Sequence, residues 1–284
     1  MVPDSENNFP WINPIGGLGD TLMLSGVLKQ VIELFPEKRF RMVRRPGYLS
    51  LLNGHPAIIG VGFPRPEDTI LRVDYWSEQA YLKNQRAMQI LGKMFGLDHV
   101  EERFFVQGDD QPDPLLNTVP WGKKSVILAP GSMSLRKEWS LAKWDQVSQW
   151  LRGQGCFVLQ MGNARQPHVR GAYSISGLTS PKQVFPFLRR ADLIITIDCY
   201  LMHAAHHVLL PAVVLWGPTE SRMYGYPEQT HLEPPGTCEK ADGCIGPGKG
   251  KNYAQPCPQG DAHCVDRITV EQTIQAVENV FAKK

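Results

Sequence analysis

Near the start of the chain, Asn13-Pro14-Ile15-Gly16-Gly17-Leu18-Gly19-Asp20-Thr21-Leu22 sets three glycines and a carboxylate between a short apolar segment and an amphipathic one. Phe9, Trp11 and Ile12 precede it, and Leu22, Leu24, Val27, Leu28, Val31, Ile32 and Leu34 follow at helical spacing. The pattern predicts a strand, a tight turn and a helix N-terminus in succession. Glycine there permits positive φ and close approach of the backbone to a ligand. The unpaired N–H groups of the first helical turn, with the helix dipole, favour an anionic group. Asp20 stands at that point, where a helix cap and a reacting carboxylate are both open to it. Gly16, Gly17 and Gly19 lack the G-x-G-x-x-G spacing and no P-loop lysine follows, so the turn is neither a dinucleotide fingerprint nor a Walker loop.

The turn opens an alternation. Strand-like segments at Phe40–Val43, Ile58–Val61 and Thr69–Val73 follow, then a long amphipathic helix is predicted over Ser77–Phe95, with Ala80, Tyr81, Met88, Leu91 and Met94 on its apolar face. Asp109, Asp110, Pro112, Asp113, Pro114, Asn117 and Pro120 then form a polar, proline-bearing stretch suited to a linker. We place the domain boundary there, with one domain over 1–118 and a second over 119–284. The second alternates again: strand Ser125–Ala129, helix Leu141–Leu151, strand Cys156–Gln160, helix Pro181–Arg190, strand Leu193–Ile197, helix Leu201–Val208 and strand Ala212–Trp216. Two α/β domains with parallel sheets are the expectation, and a chain of 284 residues can bury two cores. Ligands of such sheets bind beyond the C-terminal ends of the strands.

Composition narrows the function classes. A net charge of +2 is too small to announce a nucleic-acid binder. Lys38, Arg39, Arg41, Arg44 and Arg45 cluster, and read either as a solvated strand edge or as a phosphate-binding patch. Asp4 and Glu6 stand where a secretory signal would need a basic region and an apolar run, so a cytoplasmic location is expected. The apolar runs at 193–197 and 208–216 are too short to span a membrane and fit buried strands.

Three loops of the second domain follow successive strands: Pro130-Gly131-Ser132 with Arg136, Lys137, Glu138 and Trp139; Asp198 with His203 beyond it; and Gly217-Pro218-Thr219. Small residues, hydroxyls and cations after strand ends suit phosphate oxygens, so these loops point to a phosphorylated ligand. Singly, Lys137 reads as a solvated cation and His203 as a core histidine; together they describe a site.

These motifs, in this order and with the Gly-Asp-Thr-Leu turn, Lys137-Glu138-Trp139-Ser140, Trp144, the run Asp192 to His203 and a cysteine-bearing tail, resemble glycosyltransferase family nine, the ADP-heptose:lipopolysaccharide heptosyltransferases. The resemblance implies a GT-B architecture, two Rossmann-like domains with parallel sheets facing across a cleft, the first binding the acceptor and the second the nucleotide sugar. It implies inverting transfer of a sugar, a heptose from ADP-heptose being favoured, to a hydroxyl of a lipopolysaccharide core, another glycan or a protein, with no cofactor for the chemical step. By position in the motifs, Asp20 matches the general base; Gly17, Gly19, Ser132, Lys137, Asp198, Met202, His203, Gly217, Pro218 and Thr219 fall to the donor. A lipid-linked acceptor would bring the protein to the inner face of the membrane. Where the family has Asp-Thr-Gly, this chain reads Asp198-Cys199-Tyr200, and Tyr200 is expected to crowd a close backbone approach. The chain also lacks a basic-aromatic membrane helix. Two other readings stand beside transfer: a noncatalytic nucleotide-sugar or glycan-binding module on the same scaffold, and a nucleic-acid-modifying glycosyltransferase supported by the arginine cluster.

Of six cysteines, Cys238, Cys244, Cys257 and Cys264 lie in a Gly- and Pro-rich segment, 234–264, before a terminal helix Val270–Phe281. So little apolar material cannot fold such a segment unaided. Four thiolates can hold a tetrahedral ion, zinc by default and iron as runner-up, with His263 as a substitute ligand, although the spacing of five, twelve and six intervening residues lacks a C-x-x-C knuckle. Reduced or redox-labile thiols are the other reading. The tail resembles loosely the iron-bound cysteine finger of the autotransporter heptosyltransferases, which keeps a protein acceptor and homo-oligomerisation in view.

Overall fold

The computed structural model describes residues 9–44, 48–83, 85–236, 238, 244–246, 250–251, 255–260 and 264–283, and the chain divides into two compact units, Met1–Gly108 and Asp109–Lys284. The first contains β1 (Trp11–Pro14), α1 (Leu18–Leu34), β2 (Phe40–Val43), β3 (Ile58–Gly62), β4 (Ile70–Val73), α2 (Gln79–Leu82) and α3 (Ala87–Met94). Its strands are parallel and ordered β3-β2-β1-β4. Leu22, Leu24, Val27, Leu28 and Val31 of α1 are almost wholly buried, and α1 packs on α3 and on a 3₁₀ turn at Tyr48–Leu52.

The second unit contains β5 (Ser125–Ala129), α4 (Leu141–Gly153), β6 (Phe157–Gln160), β7 (Tyr173–Ser174), α5 (Val184–Arg190), β8 (Leu193–Ile197), α6 (Tyr200–His207), β9 (Ala212–Leu215), α7 (Ser221–Tyr224), β10 (Thr230–Leu232), a small hairpin β11 (Ile245–Gly246) and β12 (Gly250–Lys251), and α8 (Val270–Ala282). The large sheet is parallel and ordered β10-β9-β8-β5-β6-β7. Every residue of β5, β8 and β9 is buried, and apart from Ser125 and Thr196 they are apolar, as expected of parallel strands covered on both faces. Val126, Leu128, Ile195, Val213 and Leu215 share a core with Trp144, Val147 and Leu151 of α4 and Ala276 and Val277 of α8, while α5 packs on α6, and α6 on β8 and β9.

This strand order positions the site. Chain order runs outward from β5 through β6 to β7, then restarts at β8 on the other side of β5 and runs to β10. The direction of winding therefore reverses between β5 and β8, and in the first unit it reverses between β1 and β4. Loops leaving the C-terminal ends of such strand pairs diverge and leave a crevice for a ligand.

Three details differ from expectation. The helix foreseen over 77–95 is broken into a 3₁₀ turn at Tyr75–Ser77, α2 and α3, because Arg86 has a non-helical backbone and its guanidinium ion-pairs with Glu102. The two units divide at Gly108/Asp109, ahead of residue 118, because Asp109 is tied into the second unit by Arg189 and His207. The cysteine-bearing segment contributes one residue to a core despite its composition, since Ile245 in β11 is fully buried.

Candidate functional site

At the switch point of the second unit, Lys137 and Asp198 meet. Lys137 ends a 3₁₀ turn, Leu135–Lys137, in the loop after β5, and Asp198 directly follows β8. Lys137 Nζ lies 2.6 Å from Asp198 Oδ2, and Thr219 Oγ1, from the loop after β9, donates to the same oxygen at 2.5 Å. The three strand-end loops named from the sequence thus converge on one carboxylate, which is 5% exposed. Burial alone would push that carboxyl up; the charge of Lys137, the hydrogen bonds from Lys137 and Thr219 and the neighbouring His203 outweigh it and hold it below the usual carboxylate range. The result is an ionised aspartate that fixes a cation and a hydroxyl beside the ends of β5 and β8.

The remaining second-unit residues fall around this cluster. Ser132 is held by its own loop: its N–H donates to Glu138 Oε1 at 3.0 Å and its hydroxyl accepts Ser134 N–H at 3.2 Å. Gly217 passes so near the Lys137 loop that a β-carbon there would sit 3.3 Å from the Arg136 carbonyl oxygen, and Pro218 and Thr219 are buried. His203 is a core residue, but its Nδ1 pairs with the Tyr226 hydroxyl at 2.6 Å. Met202 is fully buried and its carbonyl accepts Gln229 Nε2, so its side chain belongs to the core of α6. The crowding expected of Tyr200 is redirected, because its hydroxyl donates to the Pro181 carbonyl at 2.7 Å and draws the ring toward the segment before α5. Cys199 caps α6; burial pushes its thiol up and Thr196 Oγ1 lies 3.3 Å from its sulfur.

At the switch point of the first unit stands Asp20. α1 begins at Leu18, earlier than the apolar period implies, so Gly17 is the cap and Asp20 lies three residues into the helix. Asp20 Oδ2 accepts the Gly17 N–H at 2.7 Å, which is the one half of a capping box a glycine cap allows. That amide therefore serves Asp20, and Gly19 lies within the first turn. Tyr75, which no sequence motif marks, donates its hydroxyl to Asp20 Oδ1 at 2.6 Å. Its only signal was position: it leaves β4, the strand that pairs with β1. Among the early cations, Arg41 lies over Trp11, Arg44 over Phe63 and Lys38 over Phe35, and Arg39 donates to the Pro36 and Lys38 carbonyls. Arg45 lies outside the described residues.

The six cysteines are all free. Burial first, then Cys244, and more weakly Cys238 and Cys257, push the Cys264 thiol up to about 11. Four thiols are a soft donor set of the kind zinc and iron take. Among the described residues, however, no three His, Cys, Asp or Glu side chains are disposed to hold an ion, and His263 lies outside those residues.

Residues 74–233 match the family model for glycosyltransferase family 9 (heptosyltransferase), more than half of the chain. The chain belongs to glycosyltransferase family 9. Solved structures agree on the fold. TibC of enterotoxigenic E. coli H10407, described as a dodecameric iron-containing heptosyltransferase and solved with ADP-D-β-D-heptose, is 17% identical, covers 97% of this chain with 77% of its own, and superposes with a TM-score of 0.73. A family 9 glycosyltransferase from Veillonella parvula is 13% identical over 98% of both chains, TM-score 0.67. E. coli heptosyltransferase WaaC with ADP is 14% identical over 96% of this chain and 100% of its own, TM-score 0.63. No curated protein matches. The family fold is GT-B, and this member carries it as two Rossmann-like α/β units. Among the described residues, no helix is long and apolar enough to cross a membrane.

Proposed function

We propose that this family 9 member is an inverting transferase that moves a heptose from ADP-heptose to an acceptor hydroxyl on a lipopolysaccharide core, another glycan or a protein. The observation that carries the reading is the convergence of Lys137, Asp198 and Thr219 on the switch point of the second unit. A lysine held there offers a fixed positive charge to a diphosphate, and preorganised charge is what a departing nucleotide diphosphate needs as its bond to the sugar breaks. TibC and WaaC, with ADP-heptose and ADP bound, support the choice of donor.

In this reading Asp20 takes the acceptor's O–H proton as the oxygen bonds to the anomeric carbon. The C–O bond to phosphate breaks from the opposite face, and its electron pair leaves on the nucleotide diphosphate. A positioned carboxylate base contributes about 10²- to 10⁴-fold. Ser132, Asp198, Met202, His203, Gly217 and Pro218 line or shape the donor loops, with Asp198 and Met202 acting from the core, and Gly17 and Gly19 are proposed to meet the donor from the turn that carries Asp20. Purified protein given ADP-heptose, other nucleotide sugars and a panel of glycan, lipid-linked and peptide acceptors tests this. Transfer with an inverted anomeric centre, seen by NMR of the product, is expected, and donor binding without turnover on every acceptor would overturn it.

For the tail, the proposal is a structural ion, iron or zinc, on Cys238, Cys244, Cys257 and Cys264, outside the chemical step, in an assembly of several copies. The soft donor chemistry of four thiols and the iron of TibC support it. Elemental analysis of protein purified without chelator, with the melting temperature before and after chelation, tests it: roughly one ion per chain is expected, and less than about half an ion argues against a four-thiolate site.

A further inference from the structure

The first unit holds its aspartate more firmly than helix capping requires. A cap needs one bond, and Gly17 N–H to Asp20 Oδ2 at 2.7 Å supplies it. The other oxygen is taken by a residue 55 positions away: Tyr75 Oη donates to Asp20 Oδ1 at 2.6 Å. Tyr75 is 1% exposed, its ring built into the core at the exit of β4, while Asp20 is half-buried. The pairing of β4 with β1, with Val73 beside Pro14 and Ile15 N–H bonded to the Val73 carbonyl at 2.9 Å, fixes the exit of Tyr75 against the glycine turn. These two bonds, from two different strand ends, hold both oxygens of the carboxylate.

We infer that Tyr75 is a positioning residue that aims Asp20 at the acceptor hydroxyl. The inference rests on Asp20 as base, the reading proposed above. A buried tyrosine hydroxyl needs a partner in any case, so the question is whether the bond serves the tyrosine or the carboxylate. Orientation decides the consequence. A hydrogen bond given to a carboxylate weakens it as a base, yet misplacing a catalytic group by about 1 Å can cost about 100-fold, so the aiming effect dominates.

The test is a cycle of Tyr75→Phe, Asp20→Glu and the double variant, with kcat, both KM values and thermal unfolding for each. Tyr75→Phe keeps the ring and is expected to lower kcat about ten-fold, with KM for donor and acceptor within about two-fold. In Asp20→Glu the carboxylate is displaced by one methylene and leaves the clamp, so the same tyrosine change is expected to cost less than about two-fold there. An equal loss in both backgrounds, or a raised KM with kcat preserved, overturns the inference. If Tyr75→Phe fails to fold, 4-fluorophenylalanine at position 75 fills the place of the hydroxyl with a group that cannot donate; it is expected to lower kcat and not to change KM, and an unaltered kcat overturns the inference. Asp20→Asn separates the levels: turnover within a few-fold of wild type sinks the base itself, whereas a dead Asp20→Asn with an uncoupled Tyr75→Phe sinks only the tyrosine's part.

Discussion

Lys137 and Asp198 form a nearly buried ion pair, 2.6 Å long, between the loops that leave the adjacent strands β5 and β8, with 12% and 7% of their side-chain surfaces exposed. Their roles are unequal. Thr219 and Lys137 both point at the aspartate, so the carboxylate is the hub and the lysine is the group with charge to offer a ligand. Removing the lysine alone strands a buried carboxylate, a loss of about 3 kcal/mol in comparable pairs. Lys137→Ala is therefore expected to be less stable than wild type in urea and to bind ADP at least about ten-fold more weakly. Lys137→Ala/Asp198→Asn is expected to regain stability without regaining affinity. Calorimetry with ADP and urea titrations check both, and a single variant with unchanged stability would show that the pair carries no load.

Gly16 and Gly17 are adjacent and unlike. Gly16 has φ of +123°, and a β-carbon there would lie 2.4 Å from Asp20 Oδ2. Gly17 has φ of −103°, and its β-carbon would meet that oxygen at 3.8 Å, an ordinary contact. Gly16→Ala is expected to cost about 1–3 kcal/mol and most of the turnover, because the backbone or the carboxylate must move. Gly17→Ala is expected to change stability by less than about 1 kcal/mol. Melting curves of the two variants side by side check this, and equal losses would count against the geometry of the turn.

His55 makes the first unit sensitive to acid. It is 2% exposed; Nδ1 accepts the Ala57 N–H at 3.1 Å and Nε2 bonds the Ser25 carbonyl at 2.9 Å, so the ring is neutral with its proton on Nε2. Burial first, against the pull of the Ser25 carbonyl and with help from the Lys29 charge, lowers its pKa from 6.5 to about 4. Between those values the unfolded chain takes up a proton that the folded chain refuses, so stability falls as pH drops from 6.5 toward 4 and this contribution levels off below. The full window is worth about 3 kcal/mol. His55→Gln has no proton to gain and is expected to show a flatter urea midpoint over that range than wild type; parallel curves would remove His55 as the cause.

Much of this was legible in the sequence because buried parallel strands are predominantly apolar runs: Leu193–Ile197 and the strand at 212 could be placed, and with them the loops carrying Lys137, Asp198 and Thr219. What was not legible depends on strand order. Nothing near Tyr75 marks it as a partner for Asp20; only the pairing of β4 with β1 brings them together. Leu18 and Gly19 carry no strong helical signal, which hid the early start of α1 and the place of Asp20 within it. Arg86 broke the helix foreseen over 77–95 through Glu102, a residue outside that window. Tyr226, the partner of His203, likewise comes from beyond the motif that singled out the histidine.

Arg136 joins the donor loop to the cysteine-bearing tail. It is 3% exposed, and it donates to the carbonyls of Gln255 and Pro256 at 2.8 Å each, next to Cys257, while its neighbour in sequence pairs with Asp198. The tail's far end is pinned nearby: Trp139 Nε1 donates to the Ile268 carbonyl at 3.0 Å, Ser140 N–H to Asp266 Oδ1 at 2.8 Å, and Lys143 reaches the Asp266 and Ile268 carbonyls. Hydrogen bonds given by a charged group contribute about 1.5–3 kcal/mol each, and Arg136→Met removes two while keeping an apolar stem. The variant is expected to unfold earlier and to be cut by trypsin within the tail at concentrations that spare wild type. Because the same residue supports the loop of Lys137, ADP affinity is expected to fall several-fold although Arg136 is not proposed to touch the nucleotide. Loss of tail protection with unchanged ADP affinity would show that tail and donor loop are joined in space but not in energy.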